Sequence, residues 1–385
     1  MRGLIPFYRN DIEKAANDRL RISEMRDNIR QGFSEFFYTQ GFSRHSPGQI
    51  IPENDESVLF TGSTISTFKP HLIHGTIPEN GFYMIQSCLR TQNTKILNDD
   101  IKQPQWASYF SSIGALTRYE KLDILSEQSW AFYTDYLRIP RDRMRIRIAS
   151  KDVDLLKFWN RAGLEDYLEF DANNPIYYTH TFGMDDITGR NCNLAVIDRH
   201  TGELRDIGNI ICIETKDTQL GAEIAFGVET IVSRLLGFPN PIAASLIADI
   251  VPLKNQYSLK LADAISSSMV ILDAGVRPVV TNRGRVLRKY MQAISNLRQK
   301  ADVTIRDIQH YAEEFELREF GSISDLPAKV ISYIMRYEEL CSQDLTLEKI
   351  NERVSSIFPP EVQQPVARIS VSSHCEPLFK LGENV

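Results

Sequence analysis

The hydrophobic pattern of this chain changes near residue 238, and this change constrains the fold more than any other feature. Residues 1–235 alternate between stretches of helical periodicity and short strand-like runs. The segment GFPNPI at 237–242 concentrates Gly, Pro and Asn, which interrupt regular structure. Beyond it the strand pattern fades and helical periodicity continues to residue 357. The sequence therefore predicts a mixed α and β domain over 1–237, an all-helical domain over 238–358 and a tail over 359–385.

The individual segments follow from the same periodicities. Apolar residues at helical spacing predict helices, and short runs rich in β-branched residues predict strands. The predicted helices of the first domain are 22–40, 122–137 and 153–162. The predicted strands of that domain are 57–60, 81–88, 144–149, 193–198 and 209–214. The predicted helices of the second domain are 243–249, 258–274, 286–300, 305–315, 326–340 and 347–357.

Composition and charge indicate a soluble enzyme-sized protein. The chain has 385 residues, of which 42% are hydrophobic and 24% charged, which is ordinary globular composition. No apolar run approaches the roughly 20 residues that span a bilayer, and the N-terminus soon becomes charged, unlike a signal peptide. The five cysteines lack paired spacing, so we predict reduced thiols and a cytoplasmic location. The net charge of −6 means that nucleic-acid binding would depend on local basic patches.

One such patch lies in the segment LDAGVRPVVTNRGRVLRKYMQA at 272–293. Arg285, Arg288 and Lys289 are spaced i, i+3, i+4, so they share one face of a helix. Cations at a helix start oppose its positive end, and a phosphate backbone would offset that cost. A solvated basic face is the alternative interpretation, and charge alone favours it.

Seven segments match, in order, the motifs of one known family. PENDESVLFTGSTISTFKPHLIHG at 52–75 keeps the spacing of P-x-N-D-x-S/T-L-L-F-T-N-A-G-M-x-x-F-K-x-x-x-x-G, with Asn54, Asp55 and Lys69 in place. The other matches are IQSCLR at 85–90, YFSSIGAL at 109–116, ITGRNCNLAVID at 187–198, DIGNIICIE at 206–214, EIAFGVETIVSRLLG at 223–237 and the basic segment from 272. Together they resemble the alanyl-tRNA synthetase family, a class II family. The resemblance implies a truncated, divergent paralogue of its catalytic and tRNA-recognition regions, with an antiparallel sheet flanked by helices and then a helical domain.

The resemblance also implies a chemistry. Class II enzymes join an amino acid carboxylate to the α-phosphate of ATP, so the protein supplies positioning and charge neutralisation. Arg90 matches the arginine that holds the α-phosphate and the carboxylate; a surface ion pair is the alternative. Glu223 matches the acid that pairs with the substrate ammonium, and Asn209 the amide beside it; a solvated acid near a helix start is the alternative for Glu223. Gly208 replaces a tryptophan, which would leave room for a substrate larger than alanine if this position lines the pocket.

Three ATP contacts of the family are changed. The arginine that holds the γ-phosphate falls at Thr230, and the acid that reads the adenine amino group falls at Ser111. The position of the aromatic residue that stacks on adenine is taken by Leu116, with Tyr119 close by. Gly227, in the segment 223–237, keeps a glycine of the family. Losing a charged phosphate contact costs a few kcal/mol of transition-state stabilisation. The ATP site is therefore expected to be weakened.

Other arginines are candidate replacements for the lost phosphate contact. These are Arg118 and the arginines at 143, 145 and 147. The alternation of the last three is more simply explained by the solvent face of a strand. We therefore favour the solvent-face interpretation for this group.

The basic segment keeps part of the family's tRNA-binding pattern. Arg283, Arg288 and Lys289 match it, and with Arg285 they are expected to contact phosphates. Val280 replaces the asparagine that reads the acceptor stem, and a valine cannot hydrogen-bond a base edge. Phosphate contacts give affinity without sequence specificity.

Metal binding by the protein is not expected from the pattern. The resemblance implies that the zinc-binding editing domain is missing, and that domain uses His-x-x-x-His. His71 and His74 in HLIH have different spacing. We therefore interpret them as loop histidines and expect Mg²⁺ only together with ATP.

Two functions remain open. In the first, the chain activates an amino acid with ATP and Mg²⁺ as an adenylate, and passes the acyl group to tRNA or to another acceptor, such as a carrier protein or a small amine. In the second, it is a repurposed or inactive paralogue that binds aminoacyl-tRNA, a tRNA-like stem or a partner enzyme. The three changed ATP positions favour the second function. Arg90, Asn209 and Glu223 favour the first, to which we give preference.

Overall fold

The computed structural model describes residues 19–358, apart from positions 54, 56, 172–174, 184–185, 344 and 357. Within this part the chain divides into two compact units after Asp263. The predicted domain boundary at residue 238 stays a prediction. Asn54 and the predicted tail over 359–385 lie outside the described residues.

The first unit contains a mixed sheet with helices on both faces. Its strands are β1 (Ser43–Arg44), β2 (Phe82–Leu89), β3 (Tyr109–Thr117), β4 (Met144–Ala149), β5 (Leu168–Asp171), β6 (Thr179–Thr181), β7 (Thr188–Ile197), β8 (Leu204–Glu214) and β9 (Gln219–Gly227). Their order is β1-β2-β3-β9-β8-β7-β4-β5, and β6 pairs with β7. The β1–β2 and β4–β5 pairs are parallel, and the remaining described pairs are antiparallel. The helices are α1 (Arg19–Thr39), α2 (Ile65–His74), α3 (Leu122–Ala131), α4 (Val153–Arg161), α5 (Val228–Leu236) and α6 (Gln256–Asp273). The boundary between the two units, after Asp263, falls within α6.

Both faces of the sheet are buried, and each carries its own core. On one face, the apolar stripe of α1 (Ile22, Ile29 and Phe33) packs with strand residues such as Ile113 and Ile210. On the other face, Ile65, Phe68 and Leu72 of α2 pack with strand residues that alternate with the first set. These strand residues are Met84, Leu116, Ile211 and Ile213. Neighbouring strand residues point to opposite faces of the sheet. Polar strand residues that alternate with the core under α1 therefore point to the face that α2 covers.

The regular elements in the described part of the second unit are all helices. After the end of α6 it consists of α7 (Asn282–Lys300), α8 (Ile305–Phe320), α9 (Leu326–Cys341) and α10 (Leu347–Ser355). Thr304 begins α8 with a capping box to Asp307, and Pro327 stands in the first turn of α9, where its missing N–H costs nothing. None of the described helices is long and apolar enough to cross a bilayer. The predicted antiparallel sheet flanked by helices, followed by a helical region, is confirmed.

Two predicted elements are wrong in their type. Residues 57–60 form turns, because the Asp55 carboxylate accepts hydrogen bonds from the Ser57 backbone and hydroxyl and holds the chain in a local loop. The predicted helix at 243–249 is two short 3₁₀ helices, Pro241–Ala244 and Leu246–Asp249. Ser245 separates them with an extended backbone at φ −86° and ψ 164°.

Candidate active site

A cavity of about 950 Å³ lies on the face of the sheet under α2. Its lining includes five residues predicted from the sequence: Arg90, Asn209, Glu223, Gly227 and Thr230. Strands β3, β4, β7, β8 and β9 form the base, and the segment before α2 contributes a wall. The cavity therefore collects residues that are more than a hundred positions apart in the chain.

Glu223 lies in the middle of β9 and is 1% exposed. Thr64 Oγ1 donates a hydrogen bond of 2.7 Å to its carboxylate, and no basic side chain of the described residues forms an ion pair with it. Burial raises the pKa of Glu223 to about 8, although the Thr64 hydrogen bond favours the ionised form. The alternative of a solvated acid near a helix start is therefore wrong. Glu223 is a buried acid that lacks a cation.

Arg90 follows the last residue of β2 and points into the same cavity. Its Nε donates to Gly62 O at 2.9 Å, and its guanidinium carbon lies 5.1 Å from the centre of the Phe110 ring. Burial lowers the pKa of Arg90, and no carboxylate of the described residues forms an ion pair with it. The alternative of a surface ion pair is therefore wrong. The side chain is an uncompensated cation stacked on an aromatic ring.

One short segment joins these two charges. Gly62 accepts from Arg90, and Thr64, two residues later, donates to Glu223. Two residues of extended chain span at most about 7 Å, so both charged groups are anchored to neighbouring points. They do not pair with each other. The cavity is thus complementary to a ligand that carries an ammonium and an anionic group a few bonds apart.

Asn209 extends from β8 beside Glu223. Its Oδ1 accepts from the backbone N–H of Ala225 at 3.2 Å, which fixes the orientation of the amide. An amide oxygen has a second lone pair, which suits an ammonium hydrogen.

Gly208 does not line the cavity. A Cβ at this position would lie 2.9 Å from the Tyr133 hydroxyl, which itself donates to Ile207 O at 2.5 Å. Gly208 and Asn209 point to opposite faces because successive strand residues alternate. The room that the missing tryptophan was expected to leave is on the core side, and Tyr133 occupies it.

Three predicted ATP positions also lie outside the cavity lining. Ser111 points to the α1 face, where its hydroxyl accepts from Arg30 at 2.8 Å. Leu116 is fully buried in the core under α2, and Tyr119 packs against the opposite core. The neighbouring Ser112 lines the cavity instead of Ser111. A one-residue shift in a strand is enough to exchange the two faces.

Helix α5 brings a cation that sequence reasoning missed. Gly227 is its N-cap, and a Cβ there would lie 3.1 Å from the Phe110 ring and 3.2 Å from Thr230 Oγ1. Arg234 stands one turn after Thr230 on the same face and also lines the cavity. Its Nε is buried without a hydrogen-bond partner. The spacing of four residues between Thr230 and Arg234 was visible in VETIVSRLLG and is the signal that could have found it.

Comparisons with known proteins find similar proteins among the aminoacyl-tRNA synthetases. Residues 28–203 match the family model "tRNA synthetases class II (A)". This part of the chain is similar to class II tRNA synthetase domains. Its similar proteins include the alanine–tRNA ligase of Pelotomaculum thermopropionicum, 23% identical over 305 residues, and that of Orientia tsutsugamushi, 23% identical over 369 residues. These alignments cover 69% and 81% of this chain, but only 34% and 39% of the relatives. The chain thus spans about a third of their length, and the low identity is that of a divergent paralogue.

Solved structures of class II synthetases are more distant. An aspartyl-tRNA synthetase from Entamoeba histolytica is 11% identical at a TM-score of 0.35, covering 64% of this chain and 63% of its own. The asparaginyl-tRNA synthetase of the same organism is 12% identical at a TM-score of 0.36, covering 59% and 66%.

The first unit also carries a polar row that the sequence did not single out as a group. It consists of six residues on β4, β6, β7, β8 and the turn before β6: Arg147, Tyr177, His180, Asn191, Asn193 and Asp206. All six line the cavity, so Arg147 is not simply on a solvent face as predicted. The signal was the alternation of Asn191 and Asn193, which places two amides on one face of a strand.

The basic segment of the second unit forms the start of α7. Arg285 and Lys289 are exposed, whereas Arg283 and Arg288 are half-buried, and Val280 is 56% exposed. A Cβ at Gly284 would lie 2.3 Å from Val279 Cγ2 and 2.4 Å from Arg277 O, so only glycine lets the preceding turn pack on the helix. The helix begins at Asn282, four residues before its predicted start.

The two histidines of HLIH lie in helix α2, so the prediction of loop histidines is wrong. The apolar residues Phe68 and Leu72 anchor this segment as a helix. His71 Nε2 lies 3.0 Å from His45 Nε2. Among the described residues, no group of three or more His, Cys, Asp or Glu side chains is arranged to hold a metal ion.

Proposed function

We propose that this chain activates an amino acid with ATP, forms its aminoacyl-adenylate in the cavity and transfers the acyl group to an acceptor. The observation that carries the proposal is a buried acid and an arginine, Glu223 and Arg90, which lack ion-pair partners and are anchored by Thr64 and Gly62 in one cavity. An adenylate carries both an ammonium and a phosphate, the two groups that these side chains can bind. Each buried charge would gain the partner that it lacks in the free protein.

Different residues of the cavity bind the ammonium, the carboxylate and the phosphates. The substrate ammonium binds Glu223 and the free lone pair of Asn209, and its charge keeps Glu223 ionised. Arg90 holds the carboxylate and the α-phosphate. A carboxylate oxygen attacks the α-phosphorus in line and pyrophosphate leaves, so the step needs charge neutralisation rather than covalent help from the protein. The N-terminus of α5 and Arg234 face the remaining phosphates. Mg²⁺ would neutralise phosphate oxygens, and the oxygen ligands would come mainly from the nucleotide and water.

Amino-acid-dependent ATP–pyrophosphate exchange, measured over all common and several non-standard amino acids, tests the proposal. We expect exchange with one amino acid or with a small chemically related group. Silence across the whole panel, with a folded protein, would support the alternative function.

That alternative is a repurposed paralogue that binds aminoacyl-tRNA, a tRNA-like stem or a partner enzyme without adenylation. It is favoured by one specific observation: Ser111, Leu116 and Tyr119 do not face the cavity, so the adenine contacts of the family lack obvious successors at these positions.

Arg234 provides a test of the nucleotide end. Arg234→Ala should weaken ATP binding about 10–100-fold, because a charged phosphate contact is worth a few kcal/mol. Thr230→Arg should tighten ATP binding, and should restore much of the affinity in the Arg234→Ala background. Calorimetric titration of ATP into the parent and the three variants measures both effects.

The matched control is Arg118→Ala. The sequence made Arg118 a candidate phosphate contact, but this exposed arginine does not line the cavity. If Arg234→Ala binds ATP as tightly as this control, Arg234 does not contact the nucleotide. If Thr230→Arg fails to tighten binding in either background, the γ-phosphate site has been rebuilt elsewhere.

The start of α7 provides a test of the acceptor. We propose that Arg283, Arg285, Arg288 and Lys289 contact phosphates of tRNA or of a tRNA-like stem. Binding should then fall steeply with salt, and the log–log slope should shrink by about one for each contact removed in Arg285→Ala/Arg288→Ala. Several tRNAs should bind similarly, because Val280 cannot read a base edge. Filter binding at two salt concentrations measures slope and discrimination together.

A double variant that removes exposed cations from α8 and α10, Arg306→Ala/Lys349→Ala, is the control for general charge. An equal loss of slope in this control would show non-specific attraction. If the parent binds no tRNA at low salt, the nucleic-acid role is lost and a carrier protein or small amine becomes the acceptor.

A further inference from the structure

We propose that the polar row binds a neutral, hydrogen-bonding side chain of the amino acid substrate, and that a carboxamide fits it best. This inference rests on the proposed function, because the ligand is the amino acid that the cavity activates. It assigns the substrate class, which the family resemblance alone would place at alanine.

The strand register puts the row where a substrate side chain would extend. Asn191 on β7 lies opposite Ile211 on β8, which lies opposite Glu223 on β9. Two inter-strand spacings separate Asn191 from Glu223, about 10 Å between backbones. Arg90 follows β2, on the other side of β9 in the strand order. An amino acid held by its ammonium at Glu223 and by its carboxylate towards Arg90 therefore directs its side chain across β8 to the row.

The row is a directed chain of hydrogen bonds that ends on Asp206. His180 Nε2 lies 3.0 Å from the acceptor Asn191 Oδ1, Asn191 Nδ2 donates to Asn193 Oδ1 at 2.5 Å, and Asn193 Nδ2 donates to Asp206 at 3.1 Å. Tyr177 also donates to Asp206. Each amide nitrogen keeps a second hydrogen, and His180 keeps Nδ1 as an acceptor because Nε2 carries the proton. The row thus offers both donors and acceptors to the cavity.

The charges of the row compensate one another, unlike those at Glu223 and Arg90. Arg147 Nη1 donates to Asp206 at 3.0 Å, and its Nη2 lies 3.8 Å from Asp171. Burial lowers the pKa of His180, with Arg90 adding a smaller effect in the same direction, so the ring is neutral at pH 7. A charged substrate side chain would find no uncompensated partner here and would lose its hydration.

An apolar side chain fits the row poorly for a different reason. Asn191 and Asn193 are 2% and 5% exposed, so an alkyl group over them would remove water from amide hydrogens without replacing its hydrogen bonds. A carboxamide both donates and accepts, so it can replace the hydrogen bonds of the displaced water. A hydroxyl has the right polarity but a shorter reach.

Binding of near-isosteric amino acids tests the inference independently of catalysis. Asparagine, aspartate and leucine have similar shapes but carry a neutral polar, a charged and an apolar side chain. We would measure calorimetric affinities for non-hydrolysable sulfamoyl-adenylates of these three, together with those of glutamine, serine and alanine. Asparagine or glutamine should bind about 10–100-fold more tightly than leucine, aspartate and alanine. Tightest binding of alanine, leucine or aspartate would overturn the proposal.

A variant pair separates the row from general effects on the fold. Asn193→Leu should bring the asparagine-to-leucine affinity ratio to within about threefold of one, or invert it, whereas Asn160→Leu on the exposed face of α4 should leave it unchanged. If Asn193→Leu fails to fold, the substrate series on the parent protein still decides. An unchanged ratio in folded Asn193→Leu would overturn the role of the row.

The two proposals fail in distinguishable ways. If pyrophosphate exchange is silent for every amino acid but the carboxamide analogues bind selectively, adenylation fails and the side-chain subsite stands. If exchange is fastest with alanine, adenylation stands and the subsite fails. If no analogue binds at all, both fail.

Discussion

Arg90→Ala should lower amino-acid-dependent pyrophosphate exchange by about 10²–10³-fold, because removing one positioned charge contact to a transition state costs roughly 3 kcal/mol. In the free protein this guanidinium has no carboxylate partner among the described residues and stacks on Phe110, so its charge is available to the ligand. Arg90→Lys should recover little of the loss, since an ammonium lacks the planar fork that holds two oxygens at once. Steady-state exchange rates at saturating ATP measure the effect.

Arg145→Ala is the matched control, because Arg145 is a half-buried arginine of the same sheet that lies outside the cavity lining. Arg90 is itself largely buried, so thermal unfolding of each variant has to accompany the rates. If folded Arg90→Ala retains more than a tenth of the parent's exchange, the assignment of Arg90 to the α-phosphate and the carboxylate is wrong.

The fold was largely predictable because its signals are either local periodicities or family motifs that occur in the expected order. The stripe of Ile22, Ile29 and Phe33 fixes α1 by periodicity alone. The alternation in Met144–Ala149 gives β4 with its observed bounds. Strands β3 and β9 carry few local strand signals, and only the resemblance indicated their place. Residues 57–60 looked like a strand because the bonds that hold them in turns come from a side chain, Asp55, and not from periodicity.

The site was predictable to the extent that a motif fixes which face of the sheet a residue takes. Glu223, Asn209 and Arg90 were placed in one cavity from three separate segments. Gly208 and Ser111 were placed one residue away from a lining position, and that displacement exchanges the faces of a strand. Register depends on pairing and on bulges, such as the shift between Leu194 and Ala195, and a single sequence does not reveal them.

The cations and amides that sequence reasoning missed are all set by tertiary structure. Arg234 joins Thr230 only because α5 turns that face to the cavity. The row from His180 to Asp206 runs across β6, β7 and β8, and the pairing of these strands brings its residues together. Its residues are ordinary in composition, and the hydrogen bonds between them distinguish it.

Glu223→Gln should have a second large effect, which depends on pH. The pKa of about 8 means that the free protein holds Glu223 mostly neutral at pH 7, and the substrate ammonium needs the ionised form. The parent's kcat/KM for the amino acid should therefore rise towards pH 8 and then level off. Glu223→Gln should lack this rise and fall by about 100-fold or more at pH 8, since losing one member of a buried charge pair costs about 2–5 kcal/mol. The affinity for ATP alone should remain unchanged.

Stability gives an independent readout of the same proton, without any substrate. The pKa of Glu223 is raised from its ordinary value of 4.5 to about 8 in the folded chain. Between these values the folded state holds a proton that the unfolded state has released, so this residue's contribution is complete below pH 4.5 and is lost as the pH rises through 8. Glu229 and Asp263 are also buried acids with raised pKa values, so the parent alone does not isolate Glu223. The difference in free energy of unfolding between Glu223→Gln and the parent isolates Glu223. From pH 5 to pH 8 this difference should shift in favour of the variant. The exposed control Glu203→Gln should show no such trend. A flat difference for Glu223→Gln would mean that Glu223 is already ionised in the free cavity, and that the ammonium site holds a charge compensated in some other way.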